Sequence, residues 1–408
     1  MEPQPLIIGS MPFRAKQAPL PSLVHANRLL GDHGIIQFTK GRVPDIESGF
    51  CLDDNARALL VAVAYLREGN EDPVAERMGE LAIEFFGDAS CDAPCYHNVM
   101  DGFGNFTDEC ASPESVGRLI WALGVTATCA PYDAWRSAAW DRLAKISHAV
   151  GALTTPHARA YAMLGLAAIV DPAEGSPVRP WPTRTVDSAV VRWARETLHV
   201  MAASMRFEFL RSAKPDWRWW EPVLTYDNAR LPEAMLRAAC ALRESNFADT
   251  GLEALEFLRE LTQPSGQFVP IGAPGWYRHG GDRPMYDQQP LEAAAMVDAF
   301  LAALRWTRDE AYLDDAHVAF DWFTGNNVAG LPLADADIGS CHDAITPDGL
   351  NQNMGAESTL AYLQAALFLI PADQARALRT DRSTKRKRAS TTIASIDAAR
   401  LPATIMEG

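Results

Sequence analysis

The chain has few of the features that would place it in a membrane or outside the cell. No run of about 18 uncharged apolar residues occurs, so no membrane-spanning helix is predicted. The first residues, MEPQPLIIGSMPFRAKQAPLPS, lack a basic stretch followed by an apolar core, so no secretion signal is expected. We therefore expect a cytoplasmic protein that does not interact with a membrane.

Cysteine is also scarce, with seven residues in a chain of 408. An odd number of scattered cysteines argues against a disulfide framework and fits reduced thiols in the cytosol. Cys91, Cys95, His97 and Cys110 lie close together in sequence, but their spacing differs from that of a zinc knuckle and no second Cys-x-x-Cys pair follows. We expect neither a metal ion nor another cofactor.

Basic residues are fewer than acidic ones, with 37 Lys and Arg against 52 Asp and Glu. The formal net charge is −15, and such an acidic surface repels nucleic acid, so no nucleic-acid partner is expected. The exception is the C-terminus, because residues 374–408 hold eight Lys or Arg against three Asp or Glu, including KRKR at 385–388. This segment is rich in Ser, Thr and Ala without helical periodicity, which predicts a disordered, solvated tail.

Helical periodicity, by contrast, extends over most of the chain. Hydrophobic residues make up 48% and charged residues 22%, as in a globular protein. Apolar residues recur every three or four positions in twelve windows, and few windows of strict alternation compete with them. The predicted helices are 20–31, 53–68, 73–87, 112–126, 133–149, 154–170, 186–204, 226–243, 249–263, 287–305, 309–324 and 354–370.

The predicted helices alternate in character along the chain. Those that begin near residues 53, 112, 154, 226, 287 and 355 are apolar on all faces, as in ARALLVAVAYL and EAAAMVDAFLAAL, and so are expected to be buried on all sides. The helices between them keep a polar face and belong outside. The pattern predicts an all-α (α/α)6 toroid over residues 20–373, preceded by an extension at 1–19 and followed by the tail at 374–408.

The direction of the inner helices determines where a site can lie. Parallel inner helices bring their N-termini to one rim, where free N–H groups and helix dipoles favour anionic and polar groups. The tetrapeptide DNAR occurs twice, at Asp54–Arg57 and Asp227–Arg230, and opens the first and fourth predicted inner helices. These two helices are opposite in a ring of six, so we expect Asp54 and Asp227 to face each other across a sugar-sized funnel. Each Asp also fits a simple helix N-cap, with Arg57 and Arg230 fixing loops.

Five stretches resemble successive blocks of a bacterial family of six-hairpin glycosidase-like toroids. They are SGFCLDDNARALL, ASPESVGRLIWALG, WWEPVLTYDNARLPEAML, YDQQPLEAAAMVDAFL and NQNMGAESTLAYL, and together they span residues 48–370. Members of that family are described as glycosidase-related proteins or glycosyltransferases, and some resemble domains fused to polysaccharide glycosyltransferases. The resemblance implies a carbohydrate-handling (α/α)6 fold. The chain departs from the family pattern at Pro113, Glu114 and Val116, and at Ala344 after Asp343.

Carboxyl groups at the rim suit the hydrolysis of glycosidic bonds. That reaction needs one protonated carboxyl to assist the leaving oxygen and one ionised carboxylate to activate water or attack carbon. Crowding of carboxylates raises some of their pKa values. The predicted catalytic candidates are Asp54, Asp227, Asp343, Glu221 and Asp287. Glu292 lies deeper within its helix and is interpreted as a core-paired group.

Aromatic and amide side chains near the same rim predict sugar binding, because flat apolar rings and polar groups together recognise sugars. The predicted substrate-binding residues are Trp219, Trp220, Tyr226 and Trp276 as stacking surfaces, Gln288, Gln289 and Asn353 as hydroxyl partners, and Asp53, Arg57, Glu114, His157, Arg230 and Glu357. The tryptophans and Tyr226 equally fit a packing role in the core.

Other functions on a toroid remain open at this point. Sugar epimerases of the same fold use histidines as acid and base, and His157 and His342 are candidates for those roles. A protein prenyltransferase would need separated zinc ligands, which the adjacent Cys341 and His342 do not provide. A glycosyltransferase-associated protein and a non-catalytic glycan-binding module are further alternatives, although no nucleotide-binding glycine loop is visible. The expected partner is an oligo- or polysaccharide, and the sequence does not indicate an oligomeric state.

Overall fold

The structure is a computed structural model that describes residues 20–68, 71–91, 95–171 and 188–398, with side chains described up to residue 381. Twelve α-helices occur in these segments. They are α1 (Val24–Leu29), α2 (Leu52–Arg67), α3 (Pro73–Asp88), α4 (Pro113–Cys129), α5 (Asp133–Ile146), α6 (Pro156–Val170), α7 (Ser188–Ser212), α8 (Arg230–Leu242), α9 (Ser245–Thr262), α10 (Pro290–Thr307), α11 (Ala311–Phe320) and α12 (Ala356–Ala398).

The even-numbered helices form a closed inner ring. Each packs against the next, from α2 through α4, α6, α8 and α10 to α12, and α12 returns to α2. Helices α3, α5, α7, α9 and α11 pack on the outside against the inner helix that precedes each of them, and α1 contacts α12. Most residues of α2, α4, α6, α8 and α10, and of α12 up to Ile370, are buried, as their apolar composition predicts. The predicted (α/α)6 toroid is therefore confirmed.

Glycine allows one pair of inner helices to pack with their backbones in contact. A Cβ atom placed on Gly124 of α4 would lie 2.3 Å from the carbonyl oxygen of Gly165 on α6, and one on Gly165 would lie 2.3 Å from that of Ile120. Gly117 approaches Ala158 in the same way, at 2.4 Å. Because any side chain would clash there, these glycines set the width of the ring between α4 and α6.

Short strand pairs connect the loops at the rim where the inner helices begin. Five two-stranded antiparallel sheets are formed by β1 (Thr39–Lys40) with β2 (Val43–Pro44), β3 (Phe50–Cys51) with β4 (Val99–Met100), β5 (Val223–Leu224) with β6 (Tyr277–Arg278), β7 (Ala334–Asp335) with β8 (Ser340–Cys341), and β9 (Ile345–Thr346) with β10 (Gly349–Leu350). The β3–β4 pair joins the loops that precede α2 and α4, and the β5–β6 pair joins those that precede α8 and α10. Backbone hydrogen bonds thus hold neighbouring rim loops together.

The C-terminal segment differs from the expected irregular tail. Helix α12 continues beyond residue 373 to Ala398, so the backbone is helical where the sequence predicted disorder. The first part of this extension is held to α11, because His317 lies 2.9 Å from Asp373 and Arg376 binds Glu310 at 3.0 Å and Asp314 at 2.8 Å. The predicted extension at 1–19 lies outside the described residues.

None of the helices in the described segments combines the length and apolar character needed to cross a membrane.

Candidate active site

The first DNAR copy lies in the opening turn of α2. Cys51 is the N-cap, and its Sγ accepts the backbone N–H of Asp54, so Asp54 is not the capping residue. The Asp54 carboxylate accepts a hydrogen bond from Arg57 at 2.9 Å and one from the Cys51 thiol at 3.2 Å. Arg57 also binds Glu357 of α12 at 2.7 Å. This copy therefore links α2 to the last inner helix of the ring.

The second DNAR copy lies just before α8. Asp227 has φ +50°, so the helix begins only at Arg230 and not at residue 226 as the sequence predicted. Its carboxylate accepts a hydrogen bond from Tyr161 of α6 at 2.5 Å and one from Arg230 at 3.3 Å. Its backbone N–H donates to Glu292 of α10. Neither aspartate is therefore an N-cap: Asp54 is a first-turn residue of α2, and Asp227 lies in the loop before α8.

The Asn and Arg residues of the two copies make the same types of contact, which explains the repeat. In each copy the Asn binds backbone of the preceding loop: Asn55 accepts from the N–H of Ile35 at 3.2 Å, and Asn228 accepts from the N–H of Thr225 at 3.0 Å.

In each copy the Arg binds its own Asp and an acid on a neighbouring inner helix. Arg57 reaches Glu357 of α12, and Arg230 reaches Asp298 of α10 at 2.5 Å. DNAR is thus a unit that anchors a loop, an inner helix and the neighbouring helix together.

Arg118 of α4 connects the two copies. Its guanidinium donates to Asp53 of α2 at 2.5 Å and to the Tyr161 hydroxyl at 2.6 Å, and it lies 3.8 Å from the Asp227 carboxylate. Ser115 donates a second hydrogen bond to Asp53 at 2.9 Å. The residues around both DNAR copies therefore meet at the same rim, although α2 and α8 are opposite in the ring.

Below this rim, a buried ion cluster fills the centre of the ring. Arg230 binds Glu233 at 2.7 Å and Asp298 at 2.5 Å, and Gln364 of α12 donates to the same Asp298 oxygen at 2.6 Å. Arg230 also lies over the ring of Trp121, 4.8 Å from its centroid. Together with the rim contacts, polar side chains from all six inner helices form one continuous buried network.

Electrostatics shift the pKa values of the carboxyls in this network in opposite directions. Burial raises the pKa of Asp54 to about 6, and Arg57 opposes this shift. Burial also disfavours the charged form of Asp227, but the charges of Arg230 and Arg118 outweigh it and lower the pKa. The same balance, with Arg118 and Arg57 opposing burial, lowers the pKa of Asp53.

Glu292 is the residue at the site whose role the sequence did not reveal. It accepts from the backbone of Asp227 and lies 3.4 Å from the Asn228 amide. Burial and the neighbouring charge of Asp227 raise the pKa of Glu292 to about 8. It is therefore a proton-carrying group in direct contact with the second DNAR copy. The sequence placed Glu292 deeper within its helix, whereas it lies in the first turn of α10 because that helix starts only at Pro290.

Three aromatic rings form a partly exposed wall beside Asp227. Tyr226 stacks on His157 with centroids 5.1 Å apart and an interplanar angle of 11°, and Trp276 lies 6.1 Å from Tyr226. Trp276 has φ +54°, which is rare for a bulky residue, and strained backbone of this kind clusters at functional sites. Tyr226 and Trp276 thus keep the predicted capacity to stack on a sugar.

His157 is fixed in one orientation. Its Nε2 donates to the backbone carbonyl of Tyr226 at 2.7 Å, so the other ring nitrogen carries the lone pair. Burial lowers the pKa of His157, and the charges of Glu114 and Asp227 oppose this shift. The imidazole is neutral at physiological pH. His342 donates instead to the carbonyl of Asn351 at 2.6 Å, in the loop that leads to α12.

Three predicted binding residues are structural instead. Trp219 and Trp220 are only 1% and 6% exposed, and they pack on each other and on the outer helices, so neither offers a face to a sugar. Gln288 is fully buried, with its amide bound to the carbonyl of Met285 and to the indole of Trp322. These residues fill the space between the inner and outer helices, and the prediction that they bind substrate is wrong.

Several predicted acids lie around the funnel without entering the network. Glu114 lies in the first turn of α4 and is half-buried. Asp287 precedes α10, has φ +55° and is also half-buried. Glu221 is also half-buried, and burial raises its pKa while Arg159 opposes this. Asp287 adopts the same left-handed conformation as Asp227, so α10 starts at Pro290, three residues later than predicted.

The loop before α12 supplies the remaining candidates. Asp343 accepts the backbone N–H of Gly355 at 2.7 Å, which fixes the approach to α12. Asn353 accepts the N–H of Gly41 at 3.0 Å, so one end of its amide has a structural role. Glu357 is 39% exposed at its side chain and faces Arg57. Gln289, the half-buried N-cap of α10, makes no capping hydrogen bond through its side chain.

Within the described segments, no group of three or more His, Cys, Asp or Glu side chains has the geometry of a metal site.

No family model and no curated protein matches the sequence. Among solved structures, the chain is similar to a cellobiose 2-epimerase from Bacillus thermoamylovorans, with TM-score 0.64 and 12% identity over 87% of this chain and 96% of that chain. It is also similar to a D-mannose isomerase, with TM-score 0.57 and 12% identity over 86% and 94%. A GH76 α-mannanase from Bacteroides thetaiotaomicron gives TM-score 0.54 and 11% identity over 88% and 94%. These similarities establish the fold as a six-hairpin glycosidase-like toroid.

Proposed function

We propose that the protein is a carbohydrate-active enzyme that hydrolyses glycosidic bonds of an oligo- or polysaccharide in the funnel. The observation that carries the proposal is that two carboxyls at the starts of opposite inner helices have pKa values shifted in opposite directions by their surroundings. The pKa of Asp54 is raised to about 6 by burial, whereas that of Asp227 is lowered because Arg230 and Arg118 outweigh burial. One carboxyl that carries a proton and one that is ionised are what glycoside hydrolysis requires.

In this mechanism Asp54 is the acid. Arg57 donates a hydrogen bond to Oδ1 of Asp54, so the acidic proton is placed on Oδ2, which lies beside the Cys51 sulfur. Asp54 gives this proton to the leaving oxygen of the sugar. Asp227 stays ionised through its hydrogen bonds from Tyr161 and Arg230, and it activates water or stabilises the positive charge that develops on the sugar ring.

The aromatic wall supports a sugar substrate. Tyr226 and Trp276 are both half-buried and flank Asp227, so a sugar ring stacked on them would lie next to the ionised carboxylate. Arg57 and Glu357 on the far side offer polar partners for hydroxyl groups. The structural neighbours include enzymes whose names refer to cellobiose, mannose and mannan, which agrees with a carbohydrate ligand.

Sugar epimerisation or isomerisation is the second candidate. His157 favours it, because a neutral imidazole with one nitrogen fixed on the Tyr226 carbonyl can take a proton from carbon through the other nitrogen. The epimerase and isomerase among the structural neighbours agree with this alternative.

The resemblance to glycosidase-related bacterial proteins supports membership of that family, with a glycosyltransferase-associated role or non-catalytic glycan binding as its weaker alternatives. The scattered distribution of an odd number of cysteines, seven in the chain, favours a cytoplasmic location.

One experiment separates these functions. The purified protein is incubated with a panel of oligosaccharides in deuterated water and followed by proton NMR. Hydrolysis gives new reducing-end anomeric signals, and the first anomer formed reports the stereochemistry. Epimerisation exchanges a carbon-bound proton for deuterium without chain cleavage, and binding alone broadens signals without product. Proton exchange without cleavage, lost in His157→Asn and kept in Asp54→Asn, would overturn the hydrolase proposal.

A further inference from the structure

Three thiols lie in contact outside the funnel. The Sγ of Cys95 is 3.1 Å from that of Cys91 and 2.8 Å from that of Cys110. All three are free thiols; Cys110 is exposed and the other two are half-buried. Because a disulfide bond is about 2.05 Å long, either pair needs to move by only about 1 Å to form one.

Backbone hydrogen bonds hold these thiols together. Cys91 donates its N–H to the carbonyl of Cys95 at 3.0 Å, and His97 donates to that of Ala89 at 2.8 Å, so Cys91 and Cys95 lie opposite each other on two bonded backbone segments. Ala111 donates to the carbonyl of Tyr96 at 2.5 Å, which places Cys110 beside the segment that carries Cys95. The thiols are neighbours because the backbone is fixed there, and their proximity does not depend on the choice of side-chain rotamer alone.

We propose that Cys95 and Cys110 form a reversible disulfide by exchange with a low-molecular-weight disulfide, and that Cys91 can exchange into it. The exposed Cys110 thiolate attacks the small disulfide, which gives a mixed disulfide and releases one small thiol. Cys95 then attacks the Cys110 sulfur, and the second small thiol leaves. Two protein thiols are oxidised, one small disulfide is reduced, and attack of Cys91 on Cys95 would move the bond and release Cys110.

The position of the bond connects it to the rim. Cys110 lies two residues before Ser112, the N-cap of α4, and that helix carries Ser115 and Arg118, both bound to Asp53. The loop between Cys95 and Cys110 contains β4, which pairs with β3 directly before α2. A covalent bond across this loop would restrict the segments that lead into α2 and α4. Oxidation would therefore rigidify one side of the funnel.

The chemistry favours exchange over metal binding. His97 uses Nδ1 in a hydrogen bond with the Asp108 carbonyl at 2.7 Å, and the described residues form no metal-ligand group of three. Burial raises the pKa of Cys95, and the hydrogen bond that the Cys110 thiol shares with Cys95 is the main cause that raises the pKa of Cys110. Both thiols are therefore mainly protonated at neutral pH, so exchange is slow there and needs an excess of oxidant.

The test uses the full-length, reduced protein and oxidised glutathione as the small disulfide. We expect the loss of two of the seven thiols, counted with a thiol reagent under denaturing conditions. Peptide mapping without reductant should show Cys95 linked to Cys110, and Tm should rise by a few degrees because the unfolded chain is constrained. Reductant should restore all thiols and the original Tm.

Variants identify the partners. Cys110→Ser should shift the bond to Cys91 and Cys95, and Cys95→Ser should give no internal disulfide. Cys240→Ser, in α8, is the matched control and should oxidise like the unaltered protein. A stable glutathione adduct on Cys110 with Cys95 unmodified, a disulfide elsewhere, or one zinc ion retained by the three thiols would overturn the proposal. If Cys95→Ser does not fold, the peptide map of the unaltered protein decides alone.

Discussion

The backbone N–H of Asp227 donates a hydrogen bond to the side chain of Glu292. This contact joins the loop before α8 to the first turn of α10, and it places two carboxyl groups in one buried corner of the rim. Their pKa values shift in opposite directions: burial and the charge of Asp227 raise that of Glu292 to about 8, while Arg230 and Arg118 overcome burial and lower that of Asp227. At neutral pH the pair therefore carries one proton, held on Glu292.

Glu292 makes stability depend on pH. Because its folded pKa of about 8 exceeds the unfolded value near 4.5, the folded protein holds a proton that the unfolded chain loses between these pH values. Stability should fall as pH rises through this window, by on the order of 3–5 kcal/mol for this group. Glu292→Gln should flatten the slope and be more stable than the unaltered protein above about pH 8. Urea denaturation from pH 5 to 9 measures this.

Glu114→Gln is the control for this series, because Glu114 also lies in a first turn at the same rim but is only half-buried, whereas Glu292 is buried. It should keep the slope of the unaltered protein. An unchanged slope in Glu292→Gln would show that Glu292 is ionised at neutral pH.

The sequence predicted the ring of helices because the signal is local. Small and apolar residues on every face of a helix such as α6 fit only a position between other helices, and polar faces mark the outer helices. The helix starts at Arg230 and Pro290 were less predictable. Asp227 and Asp287 adopt positive φ, and nothing in the residue pattern distinguishes that conformation from a first helical turn.

Side-chain roles at the rim depended on contacts between distant segments. Trp219 and Trp276 are chemically alike and both precede inner helices, yet the first is buried and the second is half-buried beside Tyr226. Glu292 is buried, as its interpretation as a core-paired group implies, but its raised pKa depends on burial and on Asp227, 65 residues away. Periodicity predicts which face of a helix a residue occupies, but it does not predict which distant residues contact that face.

The two tryptophans provide a matched pair of substitutions. Trp276→Ala should raise KM by about tenfold or more with little loss of stability, because a half-buried stacking surface is removed. Trp219→Ala should destabilise the protein by about 3–5 kcal/mol through cavity formation and leave KM nearly unchanged. Steady-state kinetics and thermal melting measure both effects. If Trp219→Ala raised KM and Trp276→Ala only lowered stability, the sugar would bind at Trp219 and not at Trp276.

Truncation tests the extension of α12. Removal of the residues after Leu378 should cost less than about 1 kcal/mol, because the pair it breaks is exposed, 57% at Arg379 and 44% at Glu310. Removal from Asp373 onward should cost more, since it also deletes the contacts of Asp373 and Arg376 with α11. Thermal melting of both truncated proteins measures the difference. Equal melting temperatures would mean that the extension does not stabilise the body.

The proposed acid makes activity depend on pH. With a folded pKa of about 6, Asp54 loses its proton above that pH, so kcat should fall on the alkaline side of about pH 6. Asp54→Asn should lower turnover by at least about a hundredfold and abolish this limb of the profile. Glu357→Gln, which removes the other carboxylate bound to Arg57, is the control and should retain the limb. A profile that is the same in all three proteins would exclude Asp54 as the acid.

Asp227→Asn is the most direct test of the catalytic pair. The amide keeps the size of the side chain but loses the charge that faces Arg230 and Arg118, so turnover should fall by at least about a hundredfold. Some stability should be lost too, about 2–4 kcal/mol, because buried guanidinium groups lose a counter-ion. Tyr161→Phe removes only the hydrogen bond to Asp227 and should have a smaller effect on both quantities.

Activity and stability must be separated for this variant, because a partly unfolded protein would also be inactive. Turnover is therefore measured well below the melting temperature, with the folded fraction confirmed by circular dichroism. If Asp227→Asn melts lower but turns over normally, the two tetrapeptides serve only to anchor the rim loops, as their shared contacts to Ile35 and Thr225 already do. The acid and base would then lie among the carboxyls outside the network, and the next substitutions would be at Glu221, Asp287, Asp343 and Glu357.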